Sequence, residues 1–487
     1  MQNAINFTDR DRAEMDRRGL TEDEVRRQLD LCHNPPAALE LVRPATMGDG
    51  LVQLAPERHE ALLALHAEAS AAGRWTKMVP ASGAATRMFK ALVAVHQGKG
   101  SEDERTFAED CFGQRDRLPF RDDLRDADAL EDFLADVIDR LGLAQMPKAL
   151  LSFHHYGNEA RTPFEEHLVE AAAHIRDETG VCRLHLTVTE SHEKAFRDCL
   201  EAVRGKLAER LGVQYEVSFS FQDPATDTVA ADPAGGPFHD DEGNLVFRPG
   251  GHGSLIHNLN RLNADLVYVK NIDNMVPDDR RDVVVLWKKL LGGFLCHLEN
   301  GLDELRDDEG GDWLDRARAF LSEDFGMPER YQPTNAAAMR NLLFGRPLRV
   351  CGMVPATGET GGGPFWVKDR RGEESLQIVE TSQVDRERED QREVMRGATH
   401  FNPVDLVCRL RNAKGEPFDL LRYVDEDAVF VAQKAHSGRP LLALEHPGLW
   451  NGAMSRWLTA FVEVPAATFA PVKTVMDLLR PEHQPGS

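Results

Sequence analysis

The stretch VCRLHLTVTESHEKAFRDCLEAVRGKLAERLGVQYEVSFSFQ, residues 181–222, decides the fold. Cys182, Leu184, Leu186 and Val188 alternate with Arg183, His185, Thr187 and Thr189, the two-residue period of a strand. From about Glu193 to Leu211 the pattern is helical, and Val213, Tyr215, Val217, Phe219 and Phe221 then alternate again. Two strands joined by a helix of that length need a crossover, so they lie parallel in a sheet covered on both faces.

The flanking sequence repeats the theme. Trp75–Pro80 reads as a strand, followed by the small-residue loop ASGAA and a helix-compatible run from Met88 to His96. Thr162 is a good N-cap, Pro163 fits the first turn and Glu165 completes a capping box, with Phe164, Leu168 and Ile175 on one face. Leu245–Phe247 and Leu266–Val269 are further strands around a helix at Ser254–Leu262. The expected organisation is a helical accessory segment at 1–72 and an α/β core at 73–280 with a helical insertion at about 100–145. A second helical insertion follows at 281–345, and 346–487 is a β-rich part completing the core.

The 487 residues carry a net charge of −23, the wrong sign for a protein that tracks nucleic-acid phosphates. A composition of 41% hydrophobic and 29% charged residues is that of a globular protein. No apolar run is long enough to span a membrane and the N-terminus lacks a signal-peptide core, so no membrane partner and a cytoplasmic location are expected. Seven scattered cysteines, none spaced as CxxC, read as reduced and mostly buried thiols.

In an open parallel sheet, ligands bind beyond the carboxyl ends of the strands, so the loops there are the candidates. ASGAATRM, residues 81–88, is either an ordinary tight turn or a place where backbone and Arg87 meet phosphate. In RPGGHGSL, 248–255, Gly250, Gly251 and Gly253 imply special backbone angles or close contact with a ligand. His252 is either structural or a ligand contact. Asp273, in KNIDN after the strand ending at Val269, is a turn cap or a ligand for Mg²⁺, which favours one or two carboxylates plus phosphates and water. Lys473 sits in a rigid Pro-Val-Lys-Thr turn before a helix starting near Thr474, and is either solvated or a phosphate contact. GETGGGPF, 358–365, reads as a loop, because three successive glycines do not suit a regular element; it is a lid or a surface loop.

In their order these segments resemble the UDP-sugar pyrophosphorylase family of nucleotidyltransferases, closest to a bacterial branch known as a domain of unknown function. The similar stretches are ASGAATRM, Pro147-Lys148, VTESHEKAF at 188–196, FSFQ at 219–222, PGGHGSL at 249–255 and LVYVKNIDN at 266–274. ETSQV at 380–384, FNPVDL at 401–406 and VEVPAATFAPVKTVMDLL at 462–479 continue the series.

The resemblance implies a Rossmann-like, GT-A-like nucleotidyltransferase fold, with a mixed, mainly parallel sheet, helices on both faces and helical additions, in which the core at 73–280 binds nucleotide and the part at 346–487 binds the sugar phosphate. It also implies a Mg²⁺-dependent transfer of a nucleoside monophosphate from a nucleoside triphosphate, UTP favoured, to a phosphorylated sugar, with pyrophosphate released. On that basis Arg87, Lys148 and Lys473 are catalytic. Ser82, Gly83, Ala84, Ala85, Thr86, Gln222, Gly250, Gly251, His252 and Gly253 bind nucleotide, Asp273 binds the metal, and Glu463 and Asn402 contact substrate. Arg87, Lys148, Asp273 and Lys473 are expected to converge around one pocket.

Two alternatives remain at this point. One is a nucleotide or nucleotide-sugar binding protein without catalysis, motivated by Ala85 at the usual second glycine and by the long spacing from Arg87 to Lys148. The other is a GT-A-type glycosyltransferase, against which the second cation counts, since a neutral hydroxyl acceptor has no phosphate for it to hold.

Overall fold

The computed structural model describes residues 5–308, 310–356, 358, 362–369 and 372–486. Eight strands form the body of the central sheet: β1 Gly50–Val52, β2 Trp75–Pro80, β3 Val181–Val188, β4 Gln214–Phe221, β5 Leu266–Lys270, β6 Leu348–Pro355, β7 Asp405–Arg409 and β8 Leu458–Glu463. Their order is β1-β8-β6-β7-β5-β2-β3-β4, with Thr46–Met47 beyond β1 and His400–Phe401 against β6. All neighbours among the eight run parallel except β7, which is antiparallel to both β5 and β6. The mixed, mainly parallel sheet with helices on both faces is therefore the architecture expected from the sequence.

Its faces are covered as the strand alternation demands. Leu184 and Leu186 pack with Phe164 and Leu168 of helix α1, Pro163–His174, and with Phe196 and Leu200 of α2, Glu193–Leu211. Leu290, Leu291 and Phe294 of the long helix α4, Arg281–Asp307, join the same layer. On the opposite face Met78, Val267 and Val269 meet Leu255, Ile256 and Leu259 of α3, Leu255–Arg261, together with Trp450 and Trp457. The Thr162–Glu165 capping box that starts α1 is formed in both directions.

Inside the first layer lies a fully buried charge cluster. Glu170 of α1 accepts from Lys77 of β2 at 2.8 Å and from Lys270 of β5 at 2.6 Å, while Lys288 of α4 donates to Asp405 of β7 at 2.7 Å. Burial pushes the Lys77 ammonium down to about 7, against the pull of Glu170. For Glu170, burial works the other way, and Lys270 and Lys77 overcome it to hold the carboxyl well below its usual range.

Several expectations are corrected. Residues 1–72 are not wholly helical: Glu40–Pro44 pairs with Phe365–Lys368, and β1 joins the central sheet, because Leu41, Ala45 and Leu51 find apolar partners that a solvated helix lacks. The helices Asp9–Arg18 and Glu22–His33 pack on a separate four-stranded sheet that includes Thr228–Ala231 and Arg439–Glu445. α-Helix in the 100–145 insertion covers Glu102–Gly113 and a run from Leu130 that widens at Asp136–Arg140, with only single 3-10 turns at Arg115–Arg117 and Arg121–Asp123 between them. The segment from Thr474 makes only a short turn of helix, Val475–Leu479. Gly362 and Gly363 stand within a strand, Gly362–Lys368, where a side chain on Gly363 would come within 2.8 Å of the His400 carbonyl. The rest of that glycine-rich loop, 359–361, lies outside the described residues.

His66, stacked on Trp75 and almost fully buried, supplies a stability test. Burial lowers its imidazole from 6.5 to about 3, so below pH 6.5 the unfolded chain takes up a proton that the folded chain refuses. Stability is then lost as pH falls from 6.5 toward 3, by up to about 1.4 kcal/mol per pH unit from this group. The His66→Phe variant, followed by urea unfolding at stepped pH, is expected to show a shallower acid dependence than the wild type.

Candidate active site

The carboxyl ends of β2, β4, β5, β6 and β8 and the start of β7 share one edge of the sheet. Strand order reverses direction at β2, which has β3 on one side and β5 on the other, and such a point opens a crevice. The turn after β2 and the turn after β5 border it.

The turn after β2 is held by a segment distant in sequence. Lys148 N–H donates to the Gly83 carbonyl at 3.0 Å, Ala85 N–H to Met146 at 3.0 Å and the Thr86 hydroxyl to Ala144 at 3.1 Å. The intervening insertion folds back on this turn, burying Ala85 with Met88, Phe89 and Phe120. The methyl of Ala85 thus has a packing role. Above Gly83 there is open space, Ser82 is half-buried, and Ala84, Thr86 and Arg87 are exposed.

From this position Lys148 reaches across to the β5 turn. Its ammonium donates to Asp273 Oδ2 at 2.7 Å and also to the Val472 carbonyl. The C-terminal segment is tied to the same turn, with Val472 N–H on the Asp273 carbonyl at 3.1 Å and Ala470 N–H on Asn274 Oδ1 at 2.8 Å. Val475 N–H on the Met88 carbonyl at 3.2 Å closes the ring. Lys473, exposed and next to Val472, has its backbone N–H fixed by Asp477 at 2.8 Å. Gly83, Lys148, Asp273 and Val472–Lys473 are therefore brought together, and Arg87 ends the turn that holds Gly83. With side-chain exposures of 14% and 24%, Lys148 and Asp273 remain in reach of a solute.

A second group forms beyond β4. Gln222 Nε2 donates to the Gly251 carbonyl at 3.1 Å and to the Ser254 hydroxyl. The glycines there answer to this chain's own packing. A side chain on Gly250 would strike His446 and the Thr226 carbonyl, one on Gly253 would lie 2.3 Å from the Pro447 carbonyl, and Gly251 has φ 78°. His252 stacks on Trp450 with centroids 4.2 Å apart, accepts from Leu449 N–H at 3.1 Å and faces Glu380 at 3.6 Å. Although burial opposes it, His252 and Trp450 hold the Glu380 carboxyl below its usual range. Glu380 and Trp450 escaped the sequence reading as site residues. The only signal was the ETSQV stretch that Glu380 begins.

The remaining candidates form a third group. Glu463 pairs with His400 at 2.9 Å, and buried Asn402 accepts from Val404 N–H at 3.1 Å, where Val404 has the unusual φ of 58°. These bonds run to His400 and Val404 and not to Asp273. Two cavities flank the edge: one of about 310 Å³ beside Pro355, Phe469, Pro471 and His483, the other of about 570 Å³ beside His185, Ser218, Gln222 and Asn258. No helix among the described residues is long and apolar enough to cross a membrane.

The glycine contacts yield a sharp test. Gly253→Ala places a methyl against rigid backbone and is expected to destabilise the chain by about 1–3 kcal/mol in urea unfolding without added ligand. Unchanged stability would return that glycine to a ligand-contact role.

No curated protein matches the sequence. Among solved structures, the UDP-N-acetylglucosamine pyrophosphorylase of Trypanosoma brucei, in complex with an inhibitor, aligns with TM-score 0.51 and 12% identity over 97% of this chain and 79% of that one. A mutant UDP-glucose pyrophosphorylase of Leishmania major aligns with TM-score 0.46 and 14% identity over the same shares. The first of these shares the nucleotidyltransferase-like fold described above. Residues 8–484 match a single family across nearly the whole sequence, and the chain belongs to that family, described as Domain of unknown function (DUF4301).

Proposed function

We propose that this chain is a Mg²⁺-dependent nucleotidyltransferase that moves a nucleoside monophosphate from a nucleoside triphosphate, UTP first among them, to a sugar 1-phosphate. The observation that carries the reading is the Lys148–Asp273 contact, placed between the open Gly83 turn and Lys473 at the crevice where strand order reverses. The pairing of one carboxylate and two lysines beside an exposed turn suits a reaction that needs alignment and charge neutralisation more than a protein nucleophile.

In the proposed reaction a phosphate oxygen of the sugar 1-phosphate forms a bond to the α-phosphorus. The bond from that phosphorus to the bridging oxygen breaks, and pyrophosphate leaves with the electron pair. The backbone of Ser82–Thr86 and the Arg87 guanidinium hold the triphosphate. Lys148 offsets charge on the reacting phosphates, and Lys473 holds the phosphate of the attacking sugar. Gln222 and the half-buried Gly251 and His252 line the base and ribose, with Gly250 and Gly253 shaping that loop through their packing on His446 and Pro447, and Glu463 and Asn402 approach the sugar hydroxyls.

Asp273 fits Mg²⁺, because it is a partly exposed carboxylate at a strand end. Mg²⁺ takes most of its oxygens from phosphates and water, so one protein carboxylate is enough to anchor it. When bound there, the ion would neutralise phosphate charge.

Pyrophosphate release measured over a panel of nucleoside triphosphates and sugar 1-phosphates tests this. Release with at least one pair is expected, with Lys473→Ala and Asp273→Ala lowering kcat by about 100-fold or more while thermal stability stays near wild type. Tight nucleotide binding without release from any pair would establish a binding protein instead.

A further inference from the structure

We propose that Glu170 is a positioning residue, whose buried carboxylate sets the mutual placement of the Gly83 turn, Lys148 and Asp273. Its catalytic consequence rests on the transferase reading above; its structural consequence does not.

Glu170 is 0% exposed, and Lys77, Lys270 and Lys288 are at most 1% exposed. Each arm of the cluster leads into one part of the site. Lys77 lies on β2, four residues before Ala81, and Lys270 ends β5, three residues before Asp273. Glu170 lies on α1, the first helix of this layer after the Lys148 segment. The third lysine, Lys288, sits 3.8 Å from Glu170 and bonds Asp405, the first residue of β7 just after Asn402.

Three lysines against two carboxylates is a poor device for stability, since well-packed apolar side chains of like volume do as well or better. What the charges add is directional fixation. A carboxylate bonded at 2.8 and 2.6 Å to two strands holds the helix axially against both, which an apolar contact does not. The ladder between β2 and β5 sets the register of those strands, and backbone bonds tie the 144–148 segment to the β2 turn; α1, which follows that segment, has no ladder to either strand and is fixed against both by Glu170.

Two variants separate positioning from bulk stability. Glu170→Asp keeps the charge and shortens the reach by one methylene. The triple variant Lys77→Met, Glu170→Gln, Lys270→Met replaces Glu170 and its two bonded lysines at similar volume, leaves the Lys288–Asp405 pair intact, and guards against a misfolded single variant. In both, amide hydrogen exchange at 81–87, 148–152 and 271–274 is expected to speed up about 10-fold while β3 and β4 keep their protection. The kcat for pyrophosphate release should fall by up to about 100-fold, with the nucleotide KM changed by less than about 3-fold. Unchanged exchange in the site segments, or equal loosening across the whole sheet, overturns the proposal. If the wild type releases no pyrophosphate, the transferase reading fails, and the exchange pattern still decides whether Glu170 positions these segments.

Discussion

One carboxylate, Glu170, is held by ammonium groups from two neighbouring strands in a space that water does not enter. Taking such charges out of water costs several kcal/mol per ion, and only short, well-directed partners offset it. The geometry of β2, β5 and α1 is therefore constrained as a unit, since letting any member drift strands a charge. The apolar layer of Leu184, Phe164, Phe196 and Phe294 closes around that cluster, and the sheet edge inherits its arrangement.

At the edge, two distant pieces of chain complete what the strands begin. The insertion before α1 returns to the β2 turn through the 144–148 segment, and the C-terminal segment docks on the β5 turn through Val472 and Asn274. Val472, Val475 and Leu478 also pack with Ala85, Met88 and Phe89, so insertion, turn and C-terminal segment share one core. Lys148 and Lys473 thus reach one place although they lie far apart in the sequence.

The parts of this that could be read from sequence are the local ones. The alternation in 181–188 and 214–221 needs only a two-residue period, and Asp273 is exposed to inference because it follows a strand. Glu170 was hidden, since its partners are 93 and 100 residues away and nothing in the α1 pattern distinguishes it from a solvated glutamate. The Gly250–Gly253 loop shows the same limit: the glycines announce a close approach, but what approaches is His446 and Pro447 of this chain. Glu40–Pro44 and β1 were missed because short strands that complete another segment's sheet carry little period of their own.

The proposed reaction requires that a nucleotide sit in the crevice between the Gly83 turn and Asp273. A crystal structure of the chain soaked with UTP and Mg²⁺ measures this directly. The triphosphate should lie between the backbone of 82–86 and the side chains of Asp273 and Lys473, with the base toward Gln222. A nucleotide found only elsewhere, such as in the groove beside His185 and Asn258, would contradict it.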